Sequence, residues 1–176
     1  MLNDMHHKSD ERRPRLWNSF ISFILIVLLS GICWTVEPLG ALAEDYNSNF
    51  MNGVDFSGQD LTDSSFVRSK LRYGNLSHAN LESVDLFGAD LRDSNLEGVN
   101  LRNAVLDTAR FQRANLTNAI LEDASAFNAK FDGAIVTGAD FTNVLLRKDG
   151  QILLCTVATG TNPVTGRSTR DTLDCS

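Results

Sequence analysis

The chain has 176 residues, 43 % of them apolar, enough for one small domain plus a targeting segment. Its formal charge is −6, and residues 1–43 carry four basic and four acidic side chains, so the remainder keeps the whole −6. That argues against general nucleic-acid binding, which needs a net basic surface.

Residues 1–15 are polar and contain Lys8, Arg12, Arg13 and Arg15, and Leu16 to Val36 is a largely apolar run. Pro38 and Gly40 break that run, and Ala41-Leu42-Ala43 offers a small-x-small site before Glu44. This three-part layout predicts a signal peptide over residues 1–43, cleaved after Ala43. An uncleaved anchor is the alternative, because 21 apolar residues just span a bilayer. Pro14 directly after Arg12-Arg13 argues against a twin-arginine signal, and Ile32 before Cys33 argues against a lipoprotein, so ordinary secretion is expected. After cleavage no stable membrane insertion is expected. Residues 44–51 form an N-terminal cap in which Tyr46 and Met51 fall in phase with the series that follows.

Over residues 52–148 a bulky apolar residue returns every fifth position, from Phe56, Leu61 and Phe66 to Val136, Phe141 and Leu146. A small residue stands two positions before most of them, as in Ala79-Asn80-Leu81 and Ala89-Asp90-Leu91. A five-residue period is neither helical nor a strand alternation, so it signals a repeat architecture. If each pentad forms one side of a four-sided coil, the large residue points inward and the small one fills the narrow interior beside it. Coils then stack at the ordinary strand spacing, roughly 4.8 Å. At Ala126 the inward series meets a small residue with Phe127 beside it. Ala124 and Ala129 keep the phase, so an in-phase inward Ala126 is expected, with a bulge turning Phe127 inward as the alternative.

These residues resemble the pentapeptide-repeat family, with its A(D/N)LXX pattern. The resemblance implies an all-β solenoid, a right-handed quadrilateral β-helix of about five coils, without an active site common to the family. Residues 149–176 end the pentads; 149–158 read as a short helix ended by Gly160, and Thr161 to Gly166 as turns, together a helical and looped C-terminal cap. The run from Leu154-Cys155 to Cys175 resembles the tails of exported pentapeptide proteins of cyanobacteria and chloroplast thylakoid lumens. The implied location is therefore the thylakoid lumen or the periplasm.

Cys155 and Cys175 are the two cysteines that remain after cleavage, and an even pair in an exported chain reads as a disulfide. A thiol switch is the alternative function for the pair. His78 is the one histidine beyond the signal segment, so no histidine-containing triad or multi-histidine metal site can be built there. An Asp before the inward Leu is prescribed by the repeat itself, and no phosphate loop occurs. No enzyme activity, catalytic residue, metal or cofactor is expected.

Four pentads per coil stack residues twenty apart into columns. One face carries Asp60, Asp63, Glu82, Glu122, Asp123 and Asp140 against Arg102, a net −5. The opposite face carries Lys70, Arg72, Arg92, Arg110, Arg113 and Lys130 against Asp90, Asp93 and Asp132, a net +3. A third shows Val67, Phe87, Val105, Phe127 and Leu145 at nominally outward positions, a candidate apolar docking face. The expected function is a non-enzymatic, exported, rigid scaffold that binds a protein partner through the basic or the apolar face, with no nucleic-acid partner. The alternatives are a DNA-mimic inhibitor of a topoisomerase, as some acidic members of the family are, and a thiol-switched lumenal regulator. Oligomeric state stays open.

Overall fold

The computed structural model describes residues 44–176; the expected signal peptide, its cleavage after Ala43 and Cys33 lie outside the described residues. From Asp45 onward, every fifth residue makes a parallel bridge to the residue twenty positions later, beginning with Asp45↔Ser65 and ending with Ser125↔Leu145. A step of twenty between bridged neighbours means four pentads per coil, so the chain winds as a four-sided solenoid.

Each pentad is a β-turn joined to the next by a single bridging residue. The inward residue's carbonyl accepts the N–H three positions on, as in Ala89 N–H to Leu86 O at 2.9 Å and Ala114 N–H to Phe111 O at 3.0 Å. The residue before that donor is left-handed: Arg68, Tyr73, Thr108 and Asn118 lie at φ 57° to 60°. A positive φ at the third turn position is the mark of a type II turn, normally reserved for Gly or Asn. Many side chains here accept that conformation because ladder bonds on both sides hold the turn. Leu71 N–H donates to Asp90 O and Asp90 N–H to Ser69 O, at 2.8 and 2.9 Å, and the pattern repeats around each coil.

The corners close tightly, which explains the small residue two positions before each large one. Ala79, Ala89, Ala104 and Ala119 are fully buried against the inward leucines. Each buried leucine or phenylalanine contributes roughly 1.5–3 kcal/mol of transfer free energy, but only with a coil above and below it. The inward series holds its phase through Ala126, 1 % exposed, while Phe127 beside it is 47 % exposed and points outward. Two side-chain ladders reinforce the stack outside the core. Asn115, Asn95 and Asn75 each donate an amide to the residue one coil below, ending on Asp55, and Asn100 and Asn80 do the same down to Asp60. Ile120 and Ile135 interrupt both ladders one coil later.

At the start of the solenoid Tyr46 stacks on Phe66, centroids 4.8 Å apart, so residues 44–51 already contribute to a coil. At the far end lie helix α1 (Lys148–Cys155) and the single turn α2 (Thr169–Thr172). The α1 helix ends before the Gly160 stop read from sequence. The Thr156 hydroxyl donates to the Leu153 carbonyl at 2.6 Å, and the N–H groups of Thr156 and Val157 bond three residues back, to Leu153 and Leu154. Leu154, Ala158 and Leu173 from the tail are buried in the core cluster.

Candidate functional site

The solenoid sets side chains in columns whose members are one coil apart, and this register decides which charges meet. On the basic face Asp93 sits between coils and receives two guanidiniums. Arg113 Nε and Nη2 donate to it at 2.7 and 2.8 Å, and Arg72 Nη2 at 3.3 Å. Asp90, almost fully buried, takes a fork from Arg92, with Nε to Oδ1 at 2.7 Å and Nη2 to Oδ2 at 2.6 Å. Arg113 first, and Arg72 after it, hold the Asp93 carboxyl below its ordinary 3.8. The Arg92 fork does the same for Asp90. The six cations expected on this face therefore divide. Arg72, Arg92 and Arg113 are committed to internal ion pairs, while Lys70, Arg110 and Lys130 make none among the described residues.

The acidic face is partly closed by the chain itself. Glu122 is paired with Arg102 at 3.2 Å and with Arg167 of the tail at 2.7 Å. Arg167 also lies 3.4 Å from Asp140, which is 0 % exposed. Burial pushes the Asp140 carboxyl up. Hydrogen bonds from the Thr142 hydroxyl and N–H, together with the nearby Thr165 hydroxyl and the charge of Arg167, outweigh it, so the net shift is downward. Asp60, Asp63 and Asp123 remain exposed on this face, and Glu82 half-exposed.

Asp90, Asp93, Glu122 and Asp140 all have folded-state values below their ordinary ones. The unfolded chain therefore binds more protons in acid. The stabilisation is present in full above about pH 5 and is lost as pH falls through the lowered folded values. Melting temperature is expected to stay level from about pH 7 to pH 5 and to fall below about pH 4. Circular-dichroism melts check this, and Asp140→Asn is expected to flatten part of the acid slope.

On the third face Phe87, Phe127 and Leu145 are exposed, while Val67 and Val105 are half-buried. Asp107 lies in the column between the two aromatics and uses its carboxylate locally, accepting from Phe127 N–H at 2.7 Å and Ser125 Oγ at 2.8 Å. The bond at Phe127 N–H fixes the outward turn of that residue.

The C-terminal cap holds residues that the sequence pattern does not single out. Asn162 is fully buried, and its amide Nδ2 faces the carbonyls of Gly138, Asn118 and Ala119 at 2.9, 3.1 and 3.3 Å. Its Oδ1 accepts from the N–H groups of Val164 and Thr165 at 2.9 and 3.1 Å. Such close approach needs glycine: Gly138 N–H meets Thr159 O at 2.7 Å, and a Cβ on Gly160 would lie 3.0 Å from Gly138 N. An asparagine among turn formers reads as a turn residue, so no signal in the sequence marks Asn162 as a plug.

Cys155 and Cys175 form a disulfide with Cα atoms 5.5 Å apart, tying the end of α1 to the chain terminus. It closes a separation of 20 residues. Removing it, by reduction or by Cys155→Ser with Cys175→Ser, is expected to cost roughly 3 kcal/mol. Hydrogen exchange should rise in residues 148–176 first, because the ladder bonds of the central coils do not involve the tail. A cleft of about 640 Å³ lies beside this cap, lined by Phe141, Asn143, Gln151, Arg167 and Thr172 among others. Its cation, Arg167, is already committed to Glu122 and Asp140.

The sequence profile of the family described as Pentapeptide repeats matches residues 51–86, 85–123 and 109–147. Over 40 residues the chain is 60 % identical to the thylakoid lumenal 15 kDa protein 1, chloroplastic, of Arabidopsis thaliana. That match spans 23 % of this chain and 18 % of that protein, less than a fifth of its length. Among solved structures, a pentapeptide repeat protein from the Arabidopsis thaliana thylakoid lumen superposes with TM-score 0.72 at 44 % identity, covering 74 % of this chain and 90 % of that one. A pentapeptide repeat protein from Nostoc PCC 7120 superposes with TM-score 0.51 at 28 % identity, covering 60 % and 86 %.

Proposed function

The chain belongs to the pentapeptide-repeat family, with its right-handed β-helical solenoid, and on that premise we propose that it is a non-catalytic scaffold for a protein partner in the thylakoid lumen. In this reading residues 1–43 are an export signal, and about five coils with a disulfide-clamped cap form the working protein. The lumenal location rests on the two Arabidopsis thaliana relatives. Among the described residues no helix is long and apolar enough to cross a membrane.

One observation carries the scaffold reading. Charges are held in fixed register by bonds between coils, as Asp93 is between Arg72 and Arg113, so a partner meets a surface ordered in advance. Preorganisation of this kind lowers the ordering cost of association. The basic face and the apolar face with Phe87, Phe127 and Leu145 are the two candidate contact surfaces. Photo-crosslinking of the full chain in lumen extracts is expected to return a defined protein, lost when outward residues of one of these faces are changed. Recovery of the bait alone would sink the scaffold reading.

A further inference from the structure

Resting on the scaffold reading, we propose that the basic face is the docking surface and that its partner is an acidic polypeptide segment carrying an aromatic or apolar anchor. The bridges Phe50↔Lys70, Lys70↔Asp90, Asp90↔Arg110 and Arg110↔Lys130 place in one column the three cations of this face that make no ion pair among the described residues. At roughly 4.8 Å per coil, Lys70 stands about 10 Å from Arg110, and Arg110 about 5 Å from Lys130, measured along the backbone stack. Carboxylates on an extended partner, with same-side residues roughly 7 Å apart, can reach successive members of such a column.

The same column begins with Phe50, 84 % exposed, in the coil next to Tyr73, 62 % exposed. The Arg72 guanidinium lies 5.0 Å from the Tyr73 ring centroid, and its Nη2 donates to the Tyr73 hydroxyl at 3.0 Å. Arg72 is in turn held by Asp93, so an outward aromatic ring is fixed beside the cations. Tyrosine and arginine so placed are the residue types that concentrate binding energy at interfaces. The mixture of aromatic rings and cations on one face points to a partner with both apolar and acidic groups.

Charge placement favours a polypeptide over a nucleic acid. Asp90, Asp93 and Asp132 interrupt the face, and the protein as a whole carries −6. A duplex, with a charge about every 1.7 Å, cannot avoid those carboxylates. A polypeptide can place its acids opposite Lys70, Arg110 and Lys130 alone.

The test uses the purified full chain and fluorescence anisotropy. The probes are a labelled peptide alternating Glu and Ala around a central Phe, its Gln-for-Glu counterpart, and a DNA oligonucleotide of equal charge. The Glu peptide is expected to bind, and to bind more weakly as salt rises. The combined change Lys70→Glu, Arg110→Glu and Lys130→Glu should lower its affinity by at least about tenfold. Tyr73→Asn, which suits the left-handed backbone there, should lower it several-fold. Melting temperatures of both variants should match the parent; if charge reversal disturbs folding, Lys70→Ala, Arg110→Gln and Lys130→Ala read the same quantity. Equal binding of the Gln peptide, tighter binding of DNA, or no effect of the triple change would overturn the proposal. Crosslinking in lumen extracts separates the two levels. A partner captured equally well by the triple variant removes the basic-face inference and leaves the scaffold, whereas no partner at all removes the scaffold.

Discussion

Asn162→Ala is expected to lower stability by about 3 kcal/mol and to release the C-terminal cap. The cost follows from the groups it leaves behind. The Asn118 and Gly138 carbonyls lose the Asn162 amide, and the N–H groups of Val164 and Thr165 lose their acceptor. A buried polar group stranded in this way costs about 1–3 kcal/mol, reduced where water can reach it, and Val164 is exposed enough to admit some. Asn162→Asp separates the two halves of the plug. It keeps the acceptor for Val164 and Thr165 but sets a carboxylate against carbonyl oxygens, so it should be no better than alanine. Urea unfolding monitored by circular dichroism measures both variants. A change below about 0.5 kcal/mol, the range of an ordinary surface substitution, would show that the cap holds without this residue.

Phe111→Ala is expected to cost about 3–5 kcal/mol, the usual range for truncating a fully buried phenylalanine. Phe111 has no exposed surface, and its ring stacks on Phe131 one coil further on, centroids 5.2 Å apart and planes within 4°. Each coil touches only its neighbours, so the loss should spread from one interface rather than through the whole molecule. Hydrogen exchange is expected to quicken at Arg110, Lys130 and Ile135, whose N–H groups bond Ala89, Ala109 and Ala114, before it quickens near Leu76. Phe56→Ala offers the contrast. Phe56 lies in the first coil and keeps some exposure, so its truncation should cost less. Equal costs at both positions would mean that the solenoid unfolds as a single unit.

The inward residues were legible because each pentad states its own geometry. A leucine every five residues with alanine two before it leaves one way to bury both, and Leu71, Leu91 and Leu116 are buried accordingly. The irregular Ala126 was legible for the same reason, since Ala124 and Ala129 on either side hold the phase. The left-handed turn residues were not. Arg68, Tyr73 and Thr108 have no intrinsic preference for positive φ, and bonds to coils that precede and follow them in space impose it. The α1 boundary was misplaced because Thr156 competes for a helix carbonyl, a choice that periodicity does not record.

The candidate surface divides along the same line. Stepping by twenty residues collects Lys70, Arg72, Arg92, Arg110, Arg113 and Lys130 on one side, because column membership follows from the five-residue period once four pentads make a coil. Which of them stay available depends on reach and on conformers. Asp93 lies where Arg72 and Arg113 can both fold onto it, and Asp90 lies under Arg92. The sequence alone thus determined the inward core, which follows from the local repeat, while the four-sided winding, and with it the segregation of charge, was what the resemblance to the family implied and the twenty-residue bridges show. The tertiary structure alone decided which cations are spent internally, how Arg167 closes part of the acidic face, and that Asn162 plugs the open end. Apart from the Arg92–Asp90 pair, those contacts join residues twenty or more positions apart through side-chain geometry, and a five-residue pattern carries no information about such pairings.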